Sequence, residues 1–544
     1  MIKKMKRIIE KLIMAIVIAA MVFTLSACSS ASPMPNEAPA SPEQESPPAP
    51  ASGGSDDYGY APAPEAAEAP AAMSPAGGYY DDSYDPTYNY SGGEQYLEIT
   101  ENGEQIAKKN PEATFSLKVD TASYSNVKRY IEYGELPPAD AVRTEELINW
   151  FSYDEPLKFE KGSPFAFYTE VGPSPFSEGK LLGMVRVGTR EIDKASLPPS
   201  NLVFLIDVSG SMESYDKLPL LKEAFSMLTE NLDGNDVVSI VVYASGTGVV
   251  LSGARGSDSN KINAAISNLR AGGSTAGAGG IQLAYELAEE YYVDGGNNRV
   301  ILATDGDFNV GIQSIDELSG FISEKRGSGV YLSVLGFGTG NIREDIMETL
   351  AKDGNGNYNY IDDIRTAEKV LVDELASNLF TVAADVKAQI VFNPEEVYSY
   401  RLIGYENRML KKKDFDDDTK DAGEIGAGSD VIALFEFTPT DGIFAVSKSR
   451  NLFDVRIRYK DPGDSKSKLI EFPVGGESMP RYNTSDFGFV SAVAMFGEFL
   501  RGQADAGYEV VYDIIDLAEG NLGEDEFGYR EDFLDLLDEL YWIA

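Results

Sequence analysis

The stretch Leu202-Val203-Phe204-Leu205-Ile206-Asp207-Val208-Ser209-Gly210-Ser211-Met212 decides how this chain is read. Five consecutive apolar residues closed by a turn signal describe a strand buried on both faces. The strand delivers Asp207, Ser209 and Ser211, at alternate positions, into a loop. Their oxygens are hard ligands of the kind that suit Mg²⁺ or Mn²⁺.

Outward from this stretch, strand and helix signals alternate through residues 201–380. Strand-like runs cover 202–206, 237–243, 248–251, 299–303, 330–335 and 357–361. Helical spacing of apolar residues covers 218–228, 262–269, 279–290, 315–324, 343–350 and 367–379. This alternation predicts an α/β unit, a doubly wound and mainly parallel sheet with helices on both faces. The run 248–251, joined through Ser245-Gly246-Thr247, would be an antiparallel edge hairpin. Such sheets place ligands outside the carboxyl ends of their strands, at the topological switch. Two further loops fall there: Gly272-Gly273-Ser274-Thr275-Ala276-Gly277, carrying Thr275, and Thr304-Asp305-Gly306-Asp307, carrying Asp305. Any one Asp, Ser or Thr after a strand is usually a helix cap, but three such loops in one array point to a cation. Asp307 and Asn309 read as turn residues.

The three loops, in this order, resemble the metal-ion-dependent adhesion site of the von Willebrand factor type A family. The resemblance implies a Rossmann-like type A domain in which the Ser209 and Ser211 hydroxyls touch Mg²⁺ (or Mn²⁺) directly. Thr275, Asp207 and Asp305 would bind it directly or through water. One coordination position would stay open for a Glu or Asp of a partner protein. A wider resemblance rests on Asp120-Thr121-Ala122-Ser123-Tyr124, on the run from Ile301 to Gly311, on Gly354-Asn355-Gly356-Asn357-Tyr358 and on the run from Tyr400 to Arg408. These look like bacterial lipoproteins that carry a type A domain between dedicated flanking domains. Ser429 stands where such proteins often have His.

Composition narrows the chemistry. The 544 residues contain no His, which removes Ser/His/Asp and Cys/His catalysis and the commonest zinc ligand. The formal net charge of −42 repels nucleic acid and favours cations. The single Cys is Cys28. It follows a basic start (Lys3, Lys4, Lys6, Arg7, Lys11), an apolar segment at 12–23 and Leu25-Ser26-Ala27, like the signal peptide and lipobox of a bacterial lipoprotein. The apolar segment is short for a bilayer span, which takes about 20 residues. Cleavage before Cys28 and acylation of its thiol would anchor the chain on the extracytoplasmic side of the cell membrane.

The expected organisation is therefore a signal peptide (1–27), a lipidated Cys and disordered Pro/Ala/Ser/Gly-rich tether (28–95), an N-terminal flanking domain (96–198), the type A domain (199–380) and a β-rich C-terminal flank with a helical tail (381–544). Strands are expected in the flanks at 165–171, 181–187, 386–392, 397–403, 431–438, 452–459 and 468–474. Helices are expected at 126–133, 141–151, 486–500, 508–518 and 531–541.

The Gly-rich loop 272–280 lacks the Gly-Lys-Ser/Thr ending of a phosphate loop. The acidic stretch 414–424 carries Thr419 where a calcium loop needs Gly and Ile425 where it needs Glu, so it reads as a solvated acidic turn. The leading functional expectation is a metal-dependent binding protein rather than an enzyme. The alternatives are an envelope assembly factor whose metal only stabilises the loops, and a metal-assisted hydrolase, which would lack an obvious base.

Overall fold

The computed structural model describes residues 88–91, 93–118, 120–193, 196–273, 278–306, 315–442, 450–502 and 508–544. The expected signal peptide (1–27), Cys28, the expected tether before residue 88, Thr275, Asp307 and Asn309 lie outside the described residues. Among the described residues, no helix is long and apolar enough to cross a membrane.

Strands β1 (Tyr88–Ser91) and β2 (Glu94–Leu97) form a hairpin at the end of the stretch expected to be tether, and the first flank then supplies strands β3 (Gln105–Ile106) and β4 (Glu112–Ser116), helices α1 (Ala122–Glu132) and α2 (Thr144–Ile148), and strands β5 (Phe165–Pro173) and β6 (Leu181–Thr189). The central unit runs through β7 (Ser200–Asp207), α3 (Leu218–Glu230), β8 (Val237–Tyr243), β9 (Thr247–Arg255), α4 (Ser259–Ser267), α5 (Ala278–Glu290), β10 (Asn297–Thr304), α6 (Ile315–Gly327), β11 (Val330–Phe337), α7 (Glu344–Asp353), β12 (Tyr358–Ile361), α8 (Ile364–Glu368) and α9 (Leu375–Leu379). The second flank adds β13 (Thr381–Phe392), β14 (Val397–Ile403), β15 (Ile425–Gly426), β16 (Asp430–Pro439), β17 (Asn451–Lys460), β18 (Lys468–Gly475), α10 (Ser485–Leu500), α11 (Tyr508–Gly520) and α12 (Tyr529–Ile543).

The central sheet has the order β12-β11-β10-β7-β8-β9. All neighbours are parallel except the β8–β9 edge hairpin. This is the doubly wound α/β fold that the alternation of strand and helix signals predicts. Every residue of β7 is buried, and its side chains divide by parity. Leu202, Phe204 and Ile206 enter one apolar layer with α3 and α4, while Val203 and Leu205 enter the opposite layer with α5. Each such side chain contributes roughly 1.5–3 kcal/mol on burial, which fixes the strand at the centre of the sheet.

The two flanks interleave. β4 pairs with β13, and the sheet β15-β13-β17-β18 faces the sheet β3-β14-β16-β6-β5. In the second of these sheets the N-terminal strands β3, β5 and β6 lie beside the C-terminal β14 and β16. The space between the sheets is filled by residues such as Phe115, Phe392, Phe435 and Phe453. α2, α10, α11 and α12 cover the outer face through Leu182, Met184, Ile432 and Leu434. Both flanks are thus one sandwich, and the central unit is inserted between β6 and β13.

Two expectations are corrected, and a third is extended. The helix expected at 141–151 is a 3₁₀ turn, Ala139–Ala141, followed by the short α2. The helix expected at 367–379 is split into α8, a π turn (Lys369–Asp373) and α9. The acidic stretch is clamped as well as solvated: Arg458 pairs with Asp416 and Asp418, at 3.3 and 3.0 Å, and the Lys387 ammonium donates to the Asp414 carbonyl at 2.9 Å.

A buried charge network joins the central unit to the sandwich. Arg143, 2% exposed, forks onto Glu344 of α7, with Nη2 donating to Oε2 at 2.8 Å, and lies 3.2 Å from Glu348 and 3.7 Å from Glu146. Arg408 lies 3.0 Å from Asp120 and 3.6 Å from both Glu146 and Glu348. The turn before β12 completes the junction: Lys118 donates to the Gly356 carbonyl at 2.6 Å. A Cβ on Gly356 would sit 1.8 Å from the Leu332 carbonyl oxygen, so only glycine lets this turn lie on β11.

Glu424, just before β15, carries a testable pH signature. Burial pushes its carboxyl up to about 8, with Asp385 and Asp421 adding to the rise. The folded state therefore holds a proton that the unfolded chain releases. The associated stability is fully present below about pH 4.5 and is lost as pH rises through about 8. Glu424→Gln keeps an acceptor for the Asn355 amide, now 2.8 Å from Oε1. Thermal melts are expected to show the variant about 2 °C or more above the wild type at pH 9 and level with it at pH 4.5. A lower midpoint at both pH values would refute this.

Candidate metal centre

β7 and β10 are adjacent, and the strand order reverses between them. Ile206 is in register with Ala303, so the residues that follow, Asp207 and Thr304, leave the sheet side by side. The Thr304 Oγ1 lies 3.5 Å from Asp207 Oδ2. Asp207 and Asp305 are both fully buried. After β7 the chain turns sharply because Asp207 Oδ1 accepts the Ser209 backbone N–H at 2.8 Å, and a 3₁₀ turn, Gly210–Glu213, follows. This turn brings the Ser209 and Ser211 hydroxyls together in a hydrogen bond, with their Oγ atoms 2.9 Å apart.

The second loop is stitched to the first. Gly210 N–H donates to the Gly273 carbonyl at 3.0 Å, and Gly272 N–H to the Val208 carbonyl at 2.9 Å. Gly273 has φ +85°, and a Cβ there would meet Ser245 Oγ at 2.4 Å. Thr275 itself lies outside the described residues, two positions beyond this junction. The third loop is equally close-packed. Gly306 has φ +101°, and a Cβ would lie 2.6 Å from the Asn341 carbonyl oxygen in the β11–α7 loop.

The two carboxylates differ electrically. Burial pushes Asp207 up to about 6, and the neighbouring Asp305 adds to the rise against the Ser209 N–H. Burial alone would raise Asp305 too. Hydrogen bonding and charge from Lys217 outweigh it, with Ser211 and Asn341 helping, and hold Asp305 below the usual carboxylate value. Lys217 Nζ is 2.8 Å from Asp305 Oδ2 and donates to Asn341 Oδ1 at 3.2 Å. The sequence reading did not include Lys217. Its signal is positional: a Lys at the N-terminal cap of α3 stands at the positive end of a helix, where a cation is disfavoured unless an anion answers it.

The structure therefore brings Asp207, Ser209, Ser211 and Asp305 together. Two hydroxyls and two carboxylates are a hard-oxygen donor set. Among the described residues there is no group of three or more His, Cys, Asp or Glu that could hold a metal ion. The hydroxyl spacing fits a small divalent ion, since Mg²⁺–O distances of about 2.05 Å put adjacent corners of an octahedron about 2.9 Å apart.

Comparison with known proteins assigns each segment. The family model for the von Willebrand factor type A domain matches residues 201–373, one described as von Willebrand factor matches 90–183, and one described as uncharacterized protein YfbK, C-terminal, matches 377–542. The chain is 42% identical over 466 residues to the uncharacterized protein YfbK of Escherichia coli (strain K12), covering 82% of this chain and 80% of that protein. It is 30% identical over 166 residues to inter-alpha-trypsin inhibitor heavy chain H4 of Homo sapiens, covering 29% of this chain and 18% of that protein. Among solved structures it is similar to a von Willebrand factor type A protein from Catenulispora acidiphila, at 18% identity and a TM-score of 0.39, over 68% of this chain and 89% of that one. With the relative from E. coli matched along most of both lengths, the chain belongs to the YfbK family and carries at its centre a von Willebrand factor type A domain.

Proposed function

We propose that this protein is a non-catalytic binding protein of the cell envelope, which captures an acidic side chain of a partner protein through Mg²⁺ (or Mn²⁺). Type A domains serve protein–protein interaction in general, which supports the reading. The observation that carries it is the pair of Ser hydroxyls 2.9 Å apart beside two buried carboxylates at the switch point of the sheet. In this reading Ser209, Ser211 and Thr275 are hydroxyl ligands, while Asp207 and Asp305 supply charge and orient water. When bound, the ion supplies an electrophilic position that a partner's Glu or Asp carboxylate completes. The protein's part is to keep that position open by offering few carboxylates of its own. Acylated Cys28 and the Pro-rich tether would hold the domain on the extracytoplasmic side of the membrane, at a distance from the lipid. The net charge of −42 disfavours nucleic acid as the partner.

The test is a Mn²⁺ titration by calorimetry, followed by water-proton relaxivity of the loaded protein. Wild type is expected to take up one ion, and a Glu-containing peptide is expected to lower the relaxivity by displacing a bound water. Ser209→Ala is expected to weaken uptake at least about tenfold, the loss of one direct oxygen ligand, with an unchanged circular dichroism spectrum. No uptake by wild type, or uptake untouched in Ser209→Ala, defeats the proposal.

A further inference from the structure

Lys217 occupies a position that a divalent ion would contest. Its stem lies in a groove made by Gly338, where φ is +76° and a Cβ would sit 2.2 to 2.7 Å from three Lys217 carbons. Its side chain is 8% exposed, and its ammonium reaches Asp305 Oδ2 at 2.8 Å and Asn341 Oδ1 at 3.2 Å. The ammonium is therefore seated by a shaped channel rather than laid on the surface. Asp305 in turn sits against Ser211. Among the described residues, the charges that meet in the pocket are Asp207 and Asp305 against Lys217, so the ammonium offsets one of the two carboxylate charges.

We propose that Lys217 is a built-in counter-cation that competes with the divalent ion for Asp305, and so sets both the affinity of the site for metal and the charge met by an incoming carboxylate. The inference rests on the metal-dependent reading above. Without metal, Lys217 and Asn341 satisfy Asp305, so the loops stay in place. With a divalent ion added, Lys217 leaves the assembled site one charge more positive than the two aspartates alone would allow. That weakens the hold on the ion and strengthens the hold on a partner's carboxylate. A modest metal affinity coupled to a strong carboxylate affinity makes partner and ion bind together.

The test uses full-length protein and Mn²⁺ alone, with Lys217→Met and the polar Lys217→Gln. Both variants are expected to bind Mn²⁺ at least about tenfold more tightly than wild type, since a unit positive charge is removed from a buried site. Their Mn²⁺-loaded forms are expected to bind a Glu-containing peptide at least about tenfold more weakly. In the wild type, ¹⁵N spectra of the lysine ammonium groups are expected to show the Lys217 signal moving on addition of Mg²⁺, a measurement that does not depend on either variant folding. Unchanged or weaker Mn²⁺ affinity in the variants, or a Lys217 signal indifferent to Mg²⁺ in a wild type that binds it, overturns the inference while leaving the metal reading intact. A wild type that takes up no Mn²⁺ beside a Lys217→Met protein that does would overturn the resident-metal reading and support the competition. No uptake by any of the three overturns both.

Discussion

Arg143→Met is expected to cost about 3–5 kcal/mol of unfolding free energy, the penalty for leaving buried carboxylates without their cation. Arg143 and Glu344 are 2% and 0% exposed, and Glu146 beside them is 1% exposed. Burial already pushes Glu344 and Glu146 up to about 7, with Arg143 the main influence holding them down. These are raised carboxyl values. The stability they contribute is fully present below about pH 4.5 and is lost as pH rises through about 7. Removing Arg143 moves both values further up and extends the loss to higher pH. Chemical denaturation should therefore find the largest difference between variant and wild type above pH 7 and the smallest near pH 4.5. Glu344→Gln in the Arg143→Met background should restore part of the loss, because the charge left behind is then removed. A penalty below about 1 kcal/mol at pH 8 would show that the network orients the central unit without holding it.

That network also marks what the sequence conceals. The central sheet was legible because each of its strands is a local apolar run, bounded by turns and separated by helices of one period. β7 shows the logic: its residues divide between two apolar layers by simple alternation. The site loops were legible for the same reason, since a doubly wound sheet sends the ends of β7 and β10 to one place. The sandwich was less so. β3, β4 and β15 are two to five residues long, too short for a period to register, and the partners of β3 and β4 lie hundreds of residues away in sequence. The helical spacing of 367–379 hid a π turn, because Ala367, Val370, Leu371, Leu375 and Leu379 keep ordinary helical intervals across it. Motifs such as Asp120-Thr121-Ala122-Ser123-Tyr124 and Gly354-Asn355-Gly356-Asn357-Tyr358 were recognisable before their purpose was. In the structure Asp120 accepts the Tyr358 N–H at 3.2 Å and the Arg408 guanidinium at 3.0 Å, so these motifs belong to the junction between the central unit and the sandwich. Lys217 was missed because a lysine at the start of a helix draws notice only after Asp305 is seen opposite it.

Asp207→Asn should separate the stability of the fold from the chemistry of the site by moving them in opposite directions. Asp207 is fully buried, and burial holds its carboxyl at about 6 against an ordinary 3.8. In the metal-free protein, stability linked to this group is present below about pH 3.8 and is lost as pH rises through about 6. At pH 7.5 the ionised carboxylate thus costs on the order of 3 kcal/mol. Asn keeps the Oδ1 acceptor for the Ser209 N–H, which sits 2.8 Å away, and removes the charge. The metal-free variant is therefore expected to melt at or above the wild-type midpoint at pH 7.5 and level with it near pH 3.8. Added Mg²⁺ should raise the midpoint of the wild type through linkage, RT ln(1 + [L]/Kd), and leave the variant unmoved. A site evolved for binding commonly carries this kind of stored cost. If Asp207→Asn instead lowers the midpoint by several degrees and Mg²⁺ shifts neither protein, Asp207 is there to close the β7 turn, and the charge buried at the switch point has no cation to meet.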